Sequence, residues 1–294
     1  MEEKLQSARA LHRSLSERIY QKCVDIYSHE EAGHIATMLM EHYLSLRRTD
    51  ILIDRQLTLD ARTENLLRTA VERLAEHEPI QYVIGESFFY GRAFYVNPSV
   101  LVPRRETEEL TDIIIRQNKT NNGLKILDVG TGSGCIAITL QKELIAANVT
   151  AVDISQEALA VAKANAIRHQ AELQWVWSDI MQYAENKQAY DIIVSNPPYV
   201  REIEAREMKK NVLNYEPYSA LFVKNKEPLI FYDKIAQLCV RHKLLKAKGK
   251  LFFEINEHYG TEVVAILKRW GFDQVTLQKD MQGKDRFVIG RLNS

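Results

Sequence analysis

The sequence predicts a doubly wound α/β domain with its site at the carboxyl ends of parallel strands, preceded by a bundle of helices. Three observations carry that reading. From residue 125 onward, short β-branched runs alternate with helical patterns, the order that builds a parallel sheet covered on both faces. One such run, Lys125-Ile126-Leu127-Asp128-Val129, leads into a glycine loop, Gly130-Thr131-Gly132-Ser133-Gly134, and then into a helical stretch from Cys135. Another, Tyr190-Asp191-Ile192-Ile193-Val194, stops at Ser195-Asn196-Pro197-Pro198-Tyr199. Neither proline there can donate a hydrogen bond, and each restricts the residue before it, so the strand ends in a stiff, extended loop.

Length and composition bound the rest. A chain of 294 residues is longer than one typical domain, so two are expected. A content of 46% hydrophobic and 27% charged residues suits a soluble globular protein, and no apolar run nears the roughly 20 residues that span a bilayer. No membrane partner is expected. Met1-Glu2-Glu3-Lys4 is acidic and has no signal-peptide core, which makes the cytoplasm the expected compartment. The net charge of +0 offers no electrostatic footprint for a nucleic-acid partner. Cys23, Cys135 and Cys239 are far apart and odd in number, and the histidines lack ligand spacing, so neither a disulfide framework nor a metal is expected.

Residues 1–85 form the first expected domain, and residues 1 to about 78 read as helical throughout. Leu11, Leu15, Ile19 and Cys23 fall four apart and make one stripe. Ser28 with Glu31 makes a capping box for a second helix, with Ile35, Leu39, Tyr43 and Leu46 on its inner face. A third runs from near Asp60 through Leu66, Ala70 and Leu74 until Pro79 stops it. Residues 1–87 carry 11 Lys and Arg against 15 Asp and Glu. An acidic bundle grips phosphates poorly, so docking of a protein substrate is the expected role, with a simple cap on the second domain as the alternative. Residues 86–104 form a linker in which aromatics flank Gly91, the pattern of a β-hairpin. Residues 105–294 form the second domain, and within it residues 200–227 read as a long loop.

In that domain the glycine loop lets backbone approach a ligand closely. Its Gly-x-Gly-x-Gly spacing departs from a dinucleotide fingerprint and lacks the Lys-Ser/Thr ending of a P-loop. The ligand class left is a nucleoside without phosphates, which fits S-adenosylmethionine. Asp153 ends a second strand about 20 residues past the glycines, the place of a carboxylate that binds ribose hydroxyls. A third strand ends at Ser178-Asp179, where a carboxylate can accept from an adenine amino group. Asn196 adds a side-chain carbonyl, Pro197 a backbone carbonyl and Tyr199 a flat ring, a set able to grip a planar NH2 group. Each feature alone is more often a solvated strand end or a plain turn; three strand ends in sequence order are not.

With those pieces named, the sequence resembles the protein-(glutamine-N5) methyltransferases that modify bacterial peptide-chain release factors. The resemblance rests on Pro79-Ile80-Gln81-Tyr82-Val83-Ile84-Gly85, Val102-Pro103-Arg104-Arg105-Glu106-Thr107-Glu108, Asp128 to Gly134, Asn196-Pro197-Pro198-Tyr199 and Tyr215-Glu216-Pro217. The family usually has proline at the position of Arg105 and tryptophan at that of Ile180. The resemblance implies a Rossmann-like S-adenosylmethionine-dependent methyltransferase sheet. Gly130, Thr131, Gly132, Ser133 and Gly134 would flank the methionine part of the cofactor, Asp153 the ribose, and Asp179 and Ile180 the adenine, with Asn196 also touching the cofactor. Asn196, Pro197, Pro198 and Tyr199 would hold the substrate glutamine, with Asn196, Pro197 and Tyr199 in the catalytic role. The Asn-Pro-Pro-Tyr motif is shared with adenine methyltransferases, so a nucleic-acid N6-adenine methyltransferase is the alternative, with a nucleotide-sensing module or oxidoreductase behind it.

Overall fold

The structure, a computed structural model, describes residues 4–183 and 189–293. It divides into two compact units: residues up to Gly85 together with Met208–Tyr215, and Glu86–Glu207 together with Glu216 onward.

The first unit holds β1 (Lys4–Ser7), α1 (Ala8–Lys22), α2 (His29–Leu44), α3 (Arg48–Leu52), β2 (Gln56–Leu59), α4 (Ala61–Ala75) and α5 (Ile80–Ile84). Its helices begin where their caps dictate. Ser28 Oγ accepts from the Glu31 amide at 3.2 Å while Glu31 returns a carboxylate to the Ser28 amide at 2.8 Å, and Asp60 caps α4 through the Thr63 amide. Leu11, Leu15 and Ile19 of α1, Ile35 and Leu39 of α2, and Ala70 and Leu74 of α4 meet in one core.

Four expectations change in this unit. It is not helical throughout, because β1 pairs antiparallel with β2 from Lys4↔Leu59 to Ser7↔Gln56. Gln56-Leu57-Thr58-Leu59 alternates exposed and half-buried, the two-residue period of a strand. Leu66 is 39% exposed, and Leu67 takes the inner place on α4. Leu46 is buried beyond the end of α2, which Ser45 closes in the left-handed region at φ 53°. Finally, α4 ends at Ala75 with His77 at φ 68°, and Pro79 opens α5 instead of stopping α4.

The rest of the chain runs β3 (Glu86–Phe89), β4 (Arg92–Tyr95), α6 (Arg105–Asn118), β5 (Lys125–Val129), α7 (Cys135–Glu143), β6 (Asn148–Asp153), α8 (Gln156–Arg168), β7 (Gln174–Trp177), β8 (Tyr190–Ser195), β9 (Val200–Arg201), α9 (Lys210–Leu213), α10 (Tyr218–Leu221), β10 (Phe222–Val223), α11 (Ile230–Arg241), β11 (Leu245–Glu254), α12 (Gly260–Arg269), β12 (Phe272–Lys279) and β13 (Asp285–Leu292). The hairpin at Gly91 is β3 against β4. Short elements replace the long loop expected over residues 200–227, with β9 and β10 paired in parallel. Strands of two residues and helices of four are too short to leave a period in sequence.

Seven strands form the main sheet in the order β12-β13-β11-β8-β5-β6-β7. β5, β6, β7, β8 and β11 run parallel, and β13 joins antiparallel to both β11 and β12. Side chains alternate between faces along each strand. Leu127, Ile193 and Phe253 pack with α11 and α12 on one face, whereas Ile126, Ile192, Val194 and Phe252 pack with α6, α7 and α8 on the other. Burial of each such side chain contributes about 1.5–3 kcal/mol, which holds five strand ends in a fixed row. Order reverses at β5, flanked by β6 on one side and β8 on the other, and this is the switch point where open α/β sheets bind ligands.

Candidate active site

Strand register brings the sequence-distant residues together. Val129 lies opposite both Val152 and Ser195, Asp153 opposite Trp177, and Phe253 opposite Ser195. The residues that follow these partners, Gly130, Asp153, Ser178, Asn196 and Glu254, therefore emerge along one sheet edge. A cavity of about 480 Å³ opens there, a volume in the range of small-molecule sites. Its wall includes Gly130, Thr131, Gly132, Ser133, Asp153, Asp179, Ile180, Asn196, Pro197 and Pro198. Gly134 and Tyr199 are not part of that wall.

The glycine loop uses its freedom in two ways. Gly130, Gly132 and Gly134 all sit at positive φ, 76°, 54° and 81°. A Cβ on Gly130 or Gly132 would meet nothing within 4 Å, so those two leave open space beside the cavity. A Cβ on Gly134 would lie 3.0 Å from Ile138 and 3.1 Å from Ala162. Gly134 thus serves the close approach of α7 to α8. The loop is tied down by amides of Gly130 and Thr131 donating to the Val152 carbonyl, and by the Thr131 hydroxyl donating to buried Asp128 at 2.7 Å. Burial pushes the Asp128 carboxyl up to about 7, against the Thr131 hydroxyl and with neighbouring Asp153 adding to the rise.

Asp153 faces the cavity from the end of β6. One oxygen accepts from the Gly132 amide at 2.9 Å and the other from the Ser155 amide at 3.0 Å. Burial pushes its pKa above the usual carboxylate value, while these amides and that of Ile154 pull it down. A carboxylate has about four acceptor sites, so two remain for hydroxyls of a ligand. Asp179 caps a short 3₁₀ turn, accepting from the Met181 amide at 2.8 Å, and Ile180 is buried behind it. Ile180 therefore supplies an apolar side chain to this part of the wall where the family pattern has an aromatic ring.

Asn196 is half-buried, and its Nδ2 donates to the Thr107 hydroxyl at 3.1 Å. Thr107 donates in turn to Glu254 Oε2 at 2.6 Å, and the Tyr199 hydroxyl reaches Glu254 Oε1 at 3.3 Å. The Tyr199 carbonyl is held by Asn256 at 3.3 Å. Burial pushes Glu254 up to about 7, against the pull of Thr107, Arg286 and Tyr199. Sequence reasoning missed Thr107 and Glu254. The signal for Glu254 was present, an acid closing the apolar run Leu251-Phe252-Phe253, the same strand-end pattern that marked Asp153. Thr107 lies within the Arg-Arg-Glu-Thr-Glu stretch, where no local pattern marks its role.

The opposite wall comes from the segment before α6. Ser99, Val100, Leu101, Pro103 and Arg104 line the cavity, and Arg104 donates to Glu216. Arg105 opens α6 and is exposed. Among the described residues no group of acids, histidines and cysteines is arranged to hold a metal, and no helix is long and apolar enough to cross a membrane.

Comparisons with known proteins agree in kind with this geometry. The model of the Methyltransferase small domain matches residues 98–215, and that of the PrmC N-terminal domain matches residues 25–85. A release factor glutamine methyltransferase of Flavobacterium psychrophilum is 43% identical over 271 residues, 91% of this chain and 94% of that protein. One of Bacteroides thetaiotaomicron is 43% identical over 272 residues, 92% of this chain and 96% of that protein. Among solved structures, a methyltransferase from Pyrococcus furiosus shares the fold, with a TM-score of 0.51 at 19% identity over 70% of this chain and 91% of that one.

Proposed function

The chain belongs to the release factor glutamine methyltransferases, and from that premise we propose that it moves a methyl group from S-adenosylmethionine to the side-chain amide nitrogen, N5, of a glutamine in a peptide-chain release factor. The observation that carries the reading is the Asn196 carboxamide at the cavity wall with its NH2 turned to Thr107, which leaves Oδ1 as an acceptor.

The cavity suits the cofactor. Open space over Gly130 and Gly132 admits the methionine part, Asp153 retains acceptor sites for the ribose, and Asp179 with Ile180 flanks the adenine. Arg104 is the one basic side chain in the described wall, and Glu216 occupies it, as suits a ligand without phosphates. When bound, S-adenosylmethionine supplies an electrophilic methyl group on a sulfonium.

An amide nitrogen is a poor nucleophile because its lone pair is delocalised into the carbonyl, the resonance behind a rotation barrier of ~18–20 kcal/mol. Asn196 Oδ1 and the Pro197 carbonyl would accept from its two hydrogens, localise charge on nitrogen and turn it toward the donor site. Gly130, Gly132, Asp153, Asp179 and Ile180 would hold the donor, whose methyl group would pass to the nitrogen so activated, with the bonding pair staying on sulfur and one amide proton lost to solvent. Positioning of this kind lowers a barrier by up to ~7–11 kcal/mol. Pro198 closes the loop, and the Tyr199 hydroxyl, 3.3 Å from Glu254 Oε1, braces that acid while its ring stays beside the Asn-Pro-Pro segment.

Residues 1–85 are assigned to substrate docking, 86–104 to the linker and 105–294 to methyl transfer. The cytoplasm is the compartment this activity requires, and three free buried cysteines suit a reducing one. Mass spectrometry of an unmodified release factor incubated with the protein and methyl donor tests the reading. One added methyl on a single glutamine, lost with Asn196→Ala, is expected. Methyl groups on adenine of DNA or RNA, with none on the release factor, would replace it with the alternative.

A further inference from the structure

A carboxamide has an accepting side and a donating side of nearly the same shape, and the wrong one turned to the substrate would set NH2 against NH2. What fixes Asn196 is the buried hydroxyl of Thr107, 4% exposed, in the first turn of α6. Its oxygen is met from two sides, by Asn196 Nδ2 and by Glu254 Oε2. A hydroxyl has one proton, and a carboxylate only accepts. The proton therefore goes to Glu254, the hydroxyl oxygen is left as an acceptor, and Asn196 must present its NH2. Among the described residues no donor meets Asn196 Oδ1.

We propose that Thr107 and Glu254 are positioning residues that lock the Asn196 carboxamide with its oxygen toward the substrate nitrogen. The inference rests on the reading of Asn196 as the acceptor for a glutamine amide. It also makes the lock sensitive to a proton. A protonated Glu254 donates to Thr107, frees the hydroxyl proton to turn toward Asn196, and stabilises the reversed carboxamide. The groups around Glu254 are Arg286 from β13, which favours its charge, Glu106 from α6, which opposes it, the Tyr199 hydroxyl, and Tyr232, whose hydroxyl donates to the Glu254 backbone carbonyl. Cys135 is also close enough to feel the charge. Burial outweighs the favourable contacts and leaves the carboxyl near 7. Loss of kcat as pH falls through about 7 is the consequence.

The test is steady-state methylation of a release factor from about pH 6 to about pH 9, with cofactor affinity measured separately by calorimetry. Thr107→Val keeps the shape and removes the hydroxyl; kcat should fall by roughly 10²-fold with KM and cofactor affinity little changed. Thr107→Ser keeps the hydroxyl and should recover most of that loss. Glu254→Gln keeps an acceptor but does not titrate; kcat at high pH should drop a few-fold, and the decline toward low pH should vanish. Asp128 also titrates near 7, so the limb is assigned by the difference between wild type and Glu254→Gln.

An active wild type whose Thr107→Val variant retains kcat overturns the lock, as does a Glu254→Gln variant with an unchanged acid limb. Should Thr107→Val fail to fold, the two pH profiles decide. A wild type that labels no release factor overturns the reading beneath, and the lock with it.

Discussion

The guanidinium of Arg104 donates to the buried carboxylate of Glu216, 112 residues further along the chain. Glu216 also takes the Val102 amide at 3.3 Å, so the Pro-Arg and Tyr-Glu-Pro stretches are fastened by one acid. Arg104→Ala strands that acid and should cost about 2–3 kcal/mol, less than a fully enclosed pair because water reaches the arginine. Adding Glu216→Gln should restore part of it. Urea unfolding of the single and double variants checks this, and an Arg104→Ala protein as stable as wild type rules it out.

Gly130 and Gly134 share a positive φ but not surroundings, and alanine should separate them. Gly134→Ala combines left-handed strain with a methyl about 3 Å from Ile138 and Ala162, for a loss of about 2–4 kcal/mol in unfolding free energy. Gly130→Ala meets no atom within 4 Å, so its stability cost should be confined to roughly 1–2 kcal/mol of strain. Its larger effect should be on cofactor affinity, read by calorimetry.

Asp153→Asn removes the charge and sets an NH2 against one of the two amides that the carboxylate accepts. Charged hydrogen bonds to two ribose hydroxyls are worth about 1.5–3 kcal/mol each. Cofactor affinity should fall by roughly 10–100-fold. Equal affinities for wild type and variant would remove Asp153 from the ribose.

Glu254 makes stability depend on pH with a definite sign. Its folded value of about 7 lies above the ordinary 4.5, so the folded state binds the proton more tightly. The stability this group contributes is present below about 4.5 and is lost as pH rises through about 7. Glu254→Gln should therefore gain on wild type by on the order of 1–3 kcal/mol between pH 5 and pH 8. Denaturant midpoints at the two pH values measure the difference, and a parallel shift of both proteins would contradict it.

Much of this architecture was legible in the chain. Covered parallel strands must be apolar on both faces, which is why Ile126-Leu127 and Ile192-Ile193-Val194 stood out, and Ser28 announced its helix through its own hydroxyl. The strand-end acids located the cavity because parallel register aligns what sequence separates. What stayed hidden depends on pairing across long intervals. β1 has four residues, and only Gln56–Leu59 makes it a strand. Tyr199 read as an aromatic face, yet its placement is decided by Glu254 and Asn256, whose nearness no local pattern encodes. Residues 184–188, between the end of the third parallel strand's turn and β8, lie outside the described residues.

The stretch Met208–Tyr215 belongs to the helical unit although the chain reaches it only after β8. Lys209 and Lys210 stand 3.9 Å from Glu31 and Asp25, and the Tyr215 hydroxyl donates to the Glu76 carbonyl at 2.7 Å. A module interrupted in this way resists being traded as a cassette. Exchange of the amino-terminal region with a homologue, cut cleanly after Gly85, would import new neighbours for eight inherited residues, and a working chimera calls for two grafts made together.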